Sequence, residues 1–385
     1  MGYKTSHTKF PRTIPGDRLT MLQAVELYQN NSLPNLALRA DQVARRLHPA
    51  NIRTYVIERN INYTNVCVTR CSFCGFSVSP GDQRSYTLTP EQICAKITPL
   101  RDLGGTQILL QGGMNPDLPL GWYENMLGEI KNRFPSLHIH AFSPPEIVFL
   151  AKKFDLSLSD ILVRLRRVGL DTLPGGGAEI LVDRVRRQIA PAKCSTDEWL
   201  EVIRQAHRLG MCTSATMMFG HIETLSERIE HLDKIRQLQD ESLSRLQKDP
   251  AAGYFTAFTC WPFQPGRTRL NKWEKYLPGK AQTRAENQLL LAGAFEQLKM
   301  TSLARLYLDN IKNIQASWVT QGPKIGQLSL LMGCNDLGSL MMEENVVSAA
   351  GTTFQMELNQ LRQIIHTAGF LSVQRDYYYQ SVGNH

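Results

Sequence analysis

The chain has 385 residues, of which 42% are hydrophobic and 20% are charged, and its formal net charge is +8. This composition is that of an ordinary globular protein and excludes a fibre or a long disordered tail. The positive charges are scattered along helical patterns and are not interleaved with aromatic residues, which argues against a nucleic-acid-binding protein. The sequence shows neither an export signal nor an apolar run of about 18 residues, so we expect a cytoplasmic protein that does not span a membrane.

The first fifty residues are predicted to be helical. The segments LTMLQAVELYQN (19–30) and LALRADQVARRL (36–47) both repeat apolar residues at helical spacing. We therefore expect an N-terminal helical extension over residues 1–52, followed by a larger region over residues 53–385.

Strand-like and helix-like segments alternate through the larger region. The eight predicted strands are TYVIERNINYT (54–64), TQILLQ (106–111), LHIHAF (137–142), GLDTLP (169–174), CTSATMMFG (212–220), YFTAFTC (254–260), NIQASWV (313–319) and a short one near CNDLGS (334–339). Capping boxes at Thr89 with Gln92 and at Ser195 with Glu198 predict the starts of two intervening helices. The alternation predicts an α/β fold with a parallel sheet, closed as a (β/α)8 TIM-type barrel.

In such a barrel, the chemistry belongs to the residues that directly follow the strands. Polar or glycine-rich segments follow four of the predicted strands: Gln111-Gly112-Gly113, Gly175-Gly176-Gly177, His221-Ile222-Glu223 and Thr320-Gln321-Gly322. We expect these segments to lie at the mouth of the barrel. The stretch 240–253 (DESLSRLQKDPAAG) is predicted to be a long loop.

Three cysteines, Cys67, Cys71 and Cys74, follow the first predicted strand. Soft thiolate ligands suit an iron–sulfur cluster or zinc. A structural zinc site usually has four ligands, and the sequence has no second paired-cysteine motif. The triplet therefore favours a 4Fe–4S cluster with one iron free for a further ligand, and zinc is the alternative. The other five cysteines stand alone and are expected to be small buried apolar residues.

The spacing Cys-x3-Cys-x2-Cys, with Phe73 before the last cysteine, resembles the radical S-adenosylmethionine (SAM) superfamily. The resemblance implies that the free iron binds the amino and carboxylate groups of SAM and that Phe73 packs beside the adenine. Gln111, Gly112 and Gly113 fall where the superfamily has a glycine pair that contacts the SAM amino group. Met114 replaces the acidic residue that usually follows this pair.

A resemblance to one radical SAM family extends from Tyr55 to about Tyr379. The segments that carry it are INYTNVCVTRCSFCGF, GGTQILLQGGMNPDLP, HAFSPPEI, GLDTLPGGGAEILVDRVRRQIAP, ATMMFGHIET, WPFQPG and IQASWVTQGPKIGQLSLLMGCNDLGSLMMEENVVSAAG. They are similar to the cyclic dehypoxanthine futalosine synthase family, which serves the futalosine route to menaquinone. The segment GGGAEI favours the menaquinone enzymes over those that make the deazaflavin precursor. The segments WPFQPG and ASWVTQG favour the cyclase over aminofutalosine synthase.

The resemblance implies an oxidoreductase that cyclises dehypoxanthine futalosine. A 5′-deoxyadenosyl radical made from SAM would take a hydrogen from carbon 4′ of the ribose, and the new radical would add to the benzoate ring. One electron and one proton would then leave. The implied partners are this small molecule and a reducing protein such as flavodoxin or ferredoxin, with no nucleic acid and no membrane. Aminofutalosine synthase, a deazaflavin-precursor synthase and a zinc-bound scaffold or nucleic-acid-binding module are the alternatives.

Candidate residues for proton transfer and cofactor contact follow the predicted strands. His221 and Glu223 directly follow the fifth strand and are predicted to hydrogen-bond the sugar or to accept the proton. The alternative for them is a buried His–Glu pair that fixes a loop. Glu179 is predicted to contact SAM or ribose hydroxyls, and its alternative is a carboxylate at a helix N-terminus.

Three further side chains are candidate substrate contacts. Gln264 and Gln321 can supply amide groups near the ends of the sixth and seventh strands. His140 shares one face of the third predicted strand with His138, because the two alternate with apolar residues. We expect that face to point into the barrel.

Overall fold

A computed structural model describes residues 18–275 and 288–383 of the protein. The strands in these residues are, in chain order, β1 (Ile52–Val56), β2 (Glu58–Asn62), β3 (Gln107–Gln111), β4 (His138–Ala141), β5 (Thr213–Phe219), β6 (Phe255–Pro262), β7 (Asn313–Gln315), β8 (Asp336–Ser339) and β9 (Leu371–Gln374). All of the pairings between these strands are parallel.

The strands form two sheets that join into one barrel. The larger sheet has the order β5-β6-β7-β8-β1-β9, and the smaller sheet has the order β2-β3-β4. Only Ile57 separates β1 from β2, so these two strands act as one continuous strand of the barrel, shared by both sheets. We call each of the barrel's strand positions a stave. On the other side, parallel bridges from Thr172 to His140 and from Leu173 to Thr213 connect β4 to β5. Eight staves therefore close the barrel that the sequence predicts.

Helices cover the outside of the barrel. They are α1 (Met21–Asn30), α2 (Leu33–Leu47), α3 (Pro90–Asp102), α4 (Leu120–Arg133), α5 (Pro144–Phe154), α6 (Leu158–Arg167), α7 (Asp183–Ile189), α8 (Thr196–Arg208), α9 (Leu225–Leu246), α10 (Ala294–Tyr307), α11 (Trp318–Gln321), α12 (Pro323–Ser329), α13 (Val346–Ala349) and α14 (Leu358–Thr367). The two N-terminal helices pack against α9 and α10, on one flank of the barrel. No helix in the described part of the chain is long and apolar enough to cross a membrane.

Local hydrogen bonds explain where two of these helices begin. At the start of α3, the Thr89 side chain accepts from the Gln92 amide, and the Gln92 side chain accepts from the Thr89 amide. Ser195 and Glu198 make the same reciprocal pair at the start of α8. Each pair satisfies two backbone amides that the first helical turn leaves without partners. Both predicted capping boxes are confirmed.

Side chains alternate between the two faces of each stave. Outward residues such as Ile108 and Ile139 are fully buried beneath the helices. Inward residues are often polar, and Gln107 Nε2 donates to Glu58 Oε2 at 2.5 Å between neighbouring strands. The half-buried inward residues include Leu109, Gln111, Thr259, Trp261 and Gln315. Since helices cover the outer face, these residues line a cavity that opens at the carboxyl ends of the strands.

A segment near the end of the chain seals the opposite end of the barrel. After β9, the segment 375–381 folds back on itself through a bridge between its ends. Arg375 donates to both carboxylate oxygens of Asp336, at 2.5 and 3.0 Å. Tyr377 stacks on His138 with ring centroids 4.6 Å apart. Because Asp336 and His138 are the first residues of β8 and β4, this segment lies at the amino ends of the strands.

The predicted loop at 240–253 is wrong in its first half. The helix α9 continues to Leu246, because Leu238 and Ser242 extend the buried face of the helix past residue 240. Only residues 247–253 form the turn that leads into β6.

Two of the predicted strands are shorter than expected. The predicted strand at 313–319 ends at Gln315, and a short helix begins at Trp318. The indole nitrogen of Trp318 donates to the Ser339 carbonyl at 2.9 Å. The predicted strand at 169–174 is reduced to two isolated bridges. The other six predicted strands are confirmed, with small differences at their ends.

The buried Arg375–Asp336 pair predicts a large effect of one substitution. Arg375→Met leaves the Asp336 carboxylate buried without its cation, and we expect the free energy of unfolding to fall by about 3–5 kcal/mol. Urea denaturation measures this change. The control is Arg84→Met, because Arg84 pairs with Asp82 while its side chain is 77% exposed, so the unfolding curve should hardly move. Similar shifts for the two variants would contradict the assignment of a stabilising buried pair.

Candidate active site

The cysteine triplet lies on a loop that leaves the first stave of the barrel after β2. The Cys67 amide donates to the Val78 carbonyl, and the Val78 amide donates to the Asn65 carbonyl, both at 2.9 Å. Cys67 and Cys71 are buried, and Cys74 is half-buried. The loop thus places three thiols at the open, carboxyl end of the barrel.

Hydroxyl and amide groups of the same loop contact all three sulfur atoms. Thr69 Oγ1 lies 3.0 Å from Cys67 Sγ and 3.5 Å from Cys71 Sγ. The Ser77 amide donates to Cys74 Sγ at 3.4 Å. Hydrogen bonds to sulfur help to set the reduction potential of an iron–sulfur cluster, so these contacts suit a redox site.

The donor set of the loop is chemically suited to an iron–sulfur cluster. Thiolates are the usual ligands of a four-iron cluster, and the loop carries three cysteines whose sulfur atoms contact its hydroxyl and amide groups. Cys67, Cys71 and Cys74 are the residues that would hold the cluster.

A largely buried lysine, for which the sequence carries no motif, joins three of the predicted residues. Lys193 Nζ donates to Glu179 Oε1 at 2.9 Å and lies 5.2 Å from the centroid of the Phe73 ring. Burial alone would lower the pKa of Lys193, but attraction to Glu179 and to the Cys71 sulfur raises it above its ordinary value. Burial raises the pKa of the Cys71 thiol, and Lys193 offsets part of that rise. Lys193 therefore provides a fixed positive charge beside the cysteine loop.

Gly112 and Gly113, at the end of β3, are packed too tightly to carry side chains. A Cβ on Gly113 would lie 2.1 Å from the Val66 carbonyl oxygen and 2.9 Å from Cys67 Cβ. A Cβ on Gly112 would lie 2.4 Å from the ring of Tyr63. The glycine pair therefore lies directly against the cysteine loop, which explains on physical grounds why two glycines follow this strand.

Glu146 is a buried carboxyl group beside the glycine pair and is not among the residues predicted from the sequence. It accepts hydrogen bonds from the Gly112 amide at 3.1 Å, the Tyr63 hydroxyl at 2.7 Å and the Ser143 hydroxyl at 2.6 Å. Burial raises the pKa of Glu146 to about 7, although the three donors oppose the rise. Its contacts fix the backbone after β3, so Glu146 is a positioning residue. The signal for it was the segment HAFSPPEI, which contains the residue.

His221 and Glu223 form a closed hydrogen-bonded turn after β5, and both are fully buried. Glu223 accepts from the Gly220 and His221 amides at 2.6 and 2.9 Å and from the Arg228 side chain at 2.7 Å. Its carboxylate also lies 2.9 Å from His221 Nδ1. Burial would raise the pKa of Glu223, but His221 and Arg228 hold it well below its ordinary value. These contacts match the loop-fixing alternative, and the catalytic role of the pair stays a prediction.

His140 lies inside the barrel, on the inward face of β4. Its Nδ1 is 2.8 Å from Thr172 Oγ1, and its ring centroid is 4.7 Å from that of Tyr377. Burial lowers the pKa of His140 well below its ordinary value, so the ring is neutral at pH 7. The histidine therefore lies between the sealed amino end and the open cavity.

The two predicted glutamine contacts are half-buried. Gln264 Nε2 donates to the Pro262 carbonyl at 2.9 Å, and Gln264 Oε1 accepts from the Thr352 hydroxyl at 3.1 Å. Gln321 Nε2 donates to the Thr320 carbonyl at 3.1 Å. Gln264 thus ties the end of β6 to the C-terminal region, and the roles of both glutamines in binding stay predictions.

Asn60 is a further polar side chain inside the barrel and is not among the residues predicted from the sequence. It lies on β2, level with Leu109 and His140 in strand register. Only 7% of its surface is exposed, and its Oδ1 has no hydrogen-bond partner within the described residues. Such an unpaired oxygen costs about 1–3 kcal/mol, so it suits a ligand that enters the cavity. The signal was the alternation of Glu58, Asn60 and Asn62 along the strand.

Comparisons with known proteins agree with this geometry. A profile of the radical SAM superfamily matches residues 61–235, and a profile of the CofH/MqnC C-terminal region matches residues 251–384. The chain is 41% identical to the cyclic dehypoxanthine futalosine synthase of Halalkalibacterium halodurans, over 96% of this chain and 93% of that protein. For the protein of the same name from Streptomyces coelicolor, the identity is 40% over 97% of this chain and 88% of that protein.

A second set of relatives has another activity in its name. The chain is 38% identical to the 5-amino-6-(D-ribitylamino)uracil–L-tyrosine 4-hydroxyphenyl transferase of Methanopyrus kandleri, over 93% of this chain and 92% of that protein. Among solved structures, methylornithine synthase matches with a TM-score of 0.67 and 18% identity, over 94% of this chain and 96% of that chain. The hydrogenase maturase HydG of Carboxydothermus hydrogenoformans has a TM-score of 0.67 and 16% identity, over 94% and 78% of the two chains. These structural likenesses support the barrel fold alone.

A (β/α)8 barrel whose first stave leads into a three-cysteine loop has the architecture of a radical SAM enzyme. The chain belongs to the radical SAM superfamily and, within it, to the family of the cyclic dehypoxanthine futalosine synthases. Members of the superfamily use a 4Fe–4S cluster and SAM, which agrees with the thiol donor set of the loop.

The raised pKa of Glu146 predicts a pH-dependent stability. Between its ordinary pKa of 4.5 and its folded pKa of about 7, the group ionises in the unfolded chain but keeps its proton in the folded one. Stability therefore falls as the pH rises through this range, by about 3 kcal/mol. Urea unfolding of the wild type and of Glu146→Gln at both ends of the range isolates the change, because the amide does not ionise. The same pH slope in both proteins would refute a raised pKa at this site.

Proposed function

We propose that the protein cyclises dehypoxanthine futalosine in the futalosine route to menaquinone. The observation that carries the proposal is the 41% and 40% identity to two proteins of that name over nearly the whole chain. The cysteine loop at the open end of the barrel supports it. When bound, the 4Fe–4S cluster and SAM would supply the 5′-deoxyadenosyl radical that removes the ribose hydrogen.

The transferase named in the second set of relatives is the competing activity. The segment GGGAEI, which favours the futalosine enzymes, begins at the mouth of the barrel. A Cβ on Gly175 would lie 2.2 Å from the Ser214 carbonyl oxygen, and a Cβ on Gly176 would lie 2.7 Å from Gln111 Nε2. These glycines let the chain pass close to a side chain that lines the cavity, so the segment is in a position to influence which substrate fits.

The residues around Lys193 are the proposed SAM contacts. Lys193 is a largely buried cation suited to the SAM carboxylate, and Glu179 is an acceptor suited to a ribose hydroxyl. Phe73 offers its ring to the adenine. The backbone at Gly112 and Gly113, which packs directly against the cysteine loop, is the proposed contact for the SAM amino group.

The inward side chains of the barrel are the proposed substrate contacts. Amide groups come from Asn60, Gln111 and Gln315. The neutral ring of His140 can form a hydrogen bond with the substrate from the side of the sealed amino end. Gln264 and Gln321 belong to the rim of the cavity in this proposal. His221 and Glu223 remain the proposed sugar contacts or proton acceptors. Since one end of the barrel is sealed, a ligand that fills the mouth would exclude water from the reacting atoms.

Product analysis tests the proposed function. Reconstituted, reduced enzyme is incubated with SAM and dehypoxanthine futalosine, and the products are analysed by mass spectrometry. We expect a product lighter by two hydrogens, formed together with 5′-deoxyadenosine. A parallel incubation with 5-amino-6-(D-ribitylamino)uracil and tyrosine should give no adduct. An adduct there, with no cyclised product in the first reaction, would assign the transferase activity instead.

Two cysteine variants serve as controls for the cluster. Cys71→Ala should abolish both the cluster absorbance and SAM cleavage. Cys94→Ala, which removes a buried thiol on α3, should retain both. Activity that survives in Cys71→Ala would show that the ligand assignment is mistaken.

The unpaired oxygen of Asn60 predicts that its removal raises the stability of the protein and weakens substrate binding. Asn60→Leu removes a buried polar group without a partner, so the ligand-free protein should gain about 1 kcal/mol of stability. The KM for dehypoxanthine futalosine should rise about tenfold because a hydrogen bond to the substrate is lost, while the affinity for SAM stays unchanged. Thermal denaturation and steady-state kinetics measure the two effects, and Asn35→Leu on α2 is the control. An unchanged KM would exclude a substrate contact at Asn60.

A further inference from the structure

Five cations lie on segments next to the cysteine loop or within it. They are Arg70, Arg187, Arg267, Arg269 and Lys272, and all five are exposed. We call them the basic rim. They come from three separate parts of the chain: the cysteine loop itself, the end of α7, and the segment that follows β6.

Hydrogen bonds hold the three segments of the basic rim together. The Arg269 guanidinium donates to the Arg70 carbonyl. The Leu270 amide donates to the Ser72 carbonyl at 2.8 Å, and the Ser72 amide and hydroxyl donate to the Ile189 carbonyl at 2.8 and 2.9 Å. Arg70 directly precedes Cys71, and Ser72, which binds the other two segments, directly follows it. All three segments therefore meet next to a predicted cluster ligand.

The cations of the basic rim outnumber the acidic residues described near them. Within the described residues, none of its five cations forms an ion pair with a carboxylate. No acidic residue lies within four positions of Arg70, Arg267 or Arg269 in the sequence. Asp183 and Glu274 are near the other two cations, so the surface carries a cationic surplus. Exposed charge of one sign attracts a partner of the opposite sign.

An apolar side chain lies beside the same surface. Val68, two residues before Arg70 on the cysteine loop, is 39% exposed. Protein interfaces commonly combine an apolar centre with a charged rim, and the charges mainly raise the rate of encounter. An exposed valine two residues from Arg70 has this composition on a small scale.

We propose that the basic rim is the docking surface for an acidic one-electron carrier protein, such as a flavodoxin or ferredoxin. The inference rests on the proposed function, because that chemistry needs an electron from outside the chain. The carrier's reduced group gives one electron to the cluster, so the carrier is oxidised by one electron and the cluster is reduced by one. No bond is made or broken in this step. The surface lies beside the cysteine loop, which keeps the path for the electron short.

A charge-reversal variant tests the proposal. Arg187→Glu, Arg267→Glu and Lys272→Glu are combined, and Arg70 and Arg269 are left in place because the contact between them holds the cysteine loop. The initial rate of 5′-deoxyadenosine formation is measured with a purified, reduced acidic flavodoxin at low and high ionic strength. We expect the variant to be about tenfold slower at low ionic strength and nearly insensitive to salt, whereas the wild type slows as salt is added. With dithionite as the reductant, both proteins should react at the same rate.

The matched control reverses three exposed cations elsewhere on the chain. Arg39→Glu, Arg46→Glu and Lys248→Glu lie on α2 and just after α9. Each replacement of a cation by glutamate lowers the net charge by two. Each triple variant therefore has a net charge of +2 instead of +8. The control should react with flavodoxin at the wild-type rate. Equal slowing of the two triple variants would overturn the proposed docking surface.

Other outcomes would also decide against it. If the rim variant were slow with dithionite as well, the substitutions would have damaged the cluster site and no docking role would be supported. If an RNA oligonucleotide bound the wild type but not the rim variant while flavodoxin rates stayed equal, the surface would be assigned to nucleic acid. A wild type that makes no 5′-deoxyadenosine even with dithionite would overturn the proposed function, and this inference with it.

Discussion

The contact between the end of β3 and the cysteine loop constrains the whole site. A Cβ on Gly113 would lie 2.1 Å from the Val66 carbonyl oxygen, and one on Gly112 would lie 2.4 Å from the nearest ring carbon of Tyr63. The Tyr63 hydroxyl in turn donates to Glu146, which also accepts from the Gly112 amide. The cysteine loop, the glycine pair and the first turn of α5 are therefore one packed unit. A shift in any of them would move the thiols relative to the cavity.

The two ends of the barrel differ in how far they are closed. At the amino end, Arg375 and Asp336 form a buried ion pair, and Tyr377 covers His138. At the carboxyl end, the inward side chains are half-buried, and below them Asn60 keeps an oxygen without a partner in the described residues. Buried charges are tolerated when they are paired, whereas an unpaired amide oxygen favours a polar ligand. The carboxyl end is therefore the side from which a ligand would reach Asn60.

Much of the fold could be predicted because its signals are local. Strand alternation, helix capping and the spacing of three cysteines each act over about ten residues or fewer, so they can be recognised without knowing the rest of the chain. The errors arose where tertiary contacts decide the outcome. Burial of Leu238 and Ser242 carries α9 through the predicted loop at 240–253, and the Trp318 indole bonds to Ser339 where a strand was expected.

The sequence by itself determined the class of barrel, the position of the thiols on the first loop and the family resemblance, because each depends on residue types at short spacing. Only the tertiary structure showed that Lys193 joins Glu179, Phe73 and the cysteine loop, and that three segments bearing exposed cations meet at that loop. The physical reason is that charge and hydrogen bonding act through space. Residues that are more than a hundred positions apart in the chain become neighbours only when the staves close.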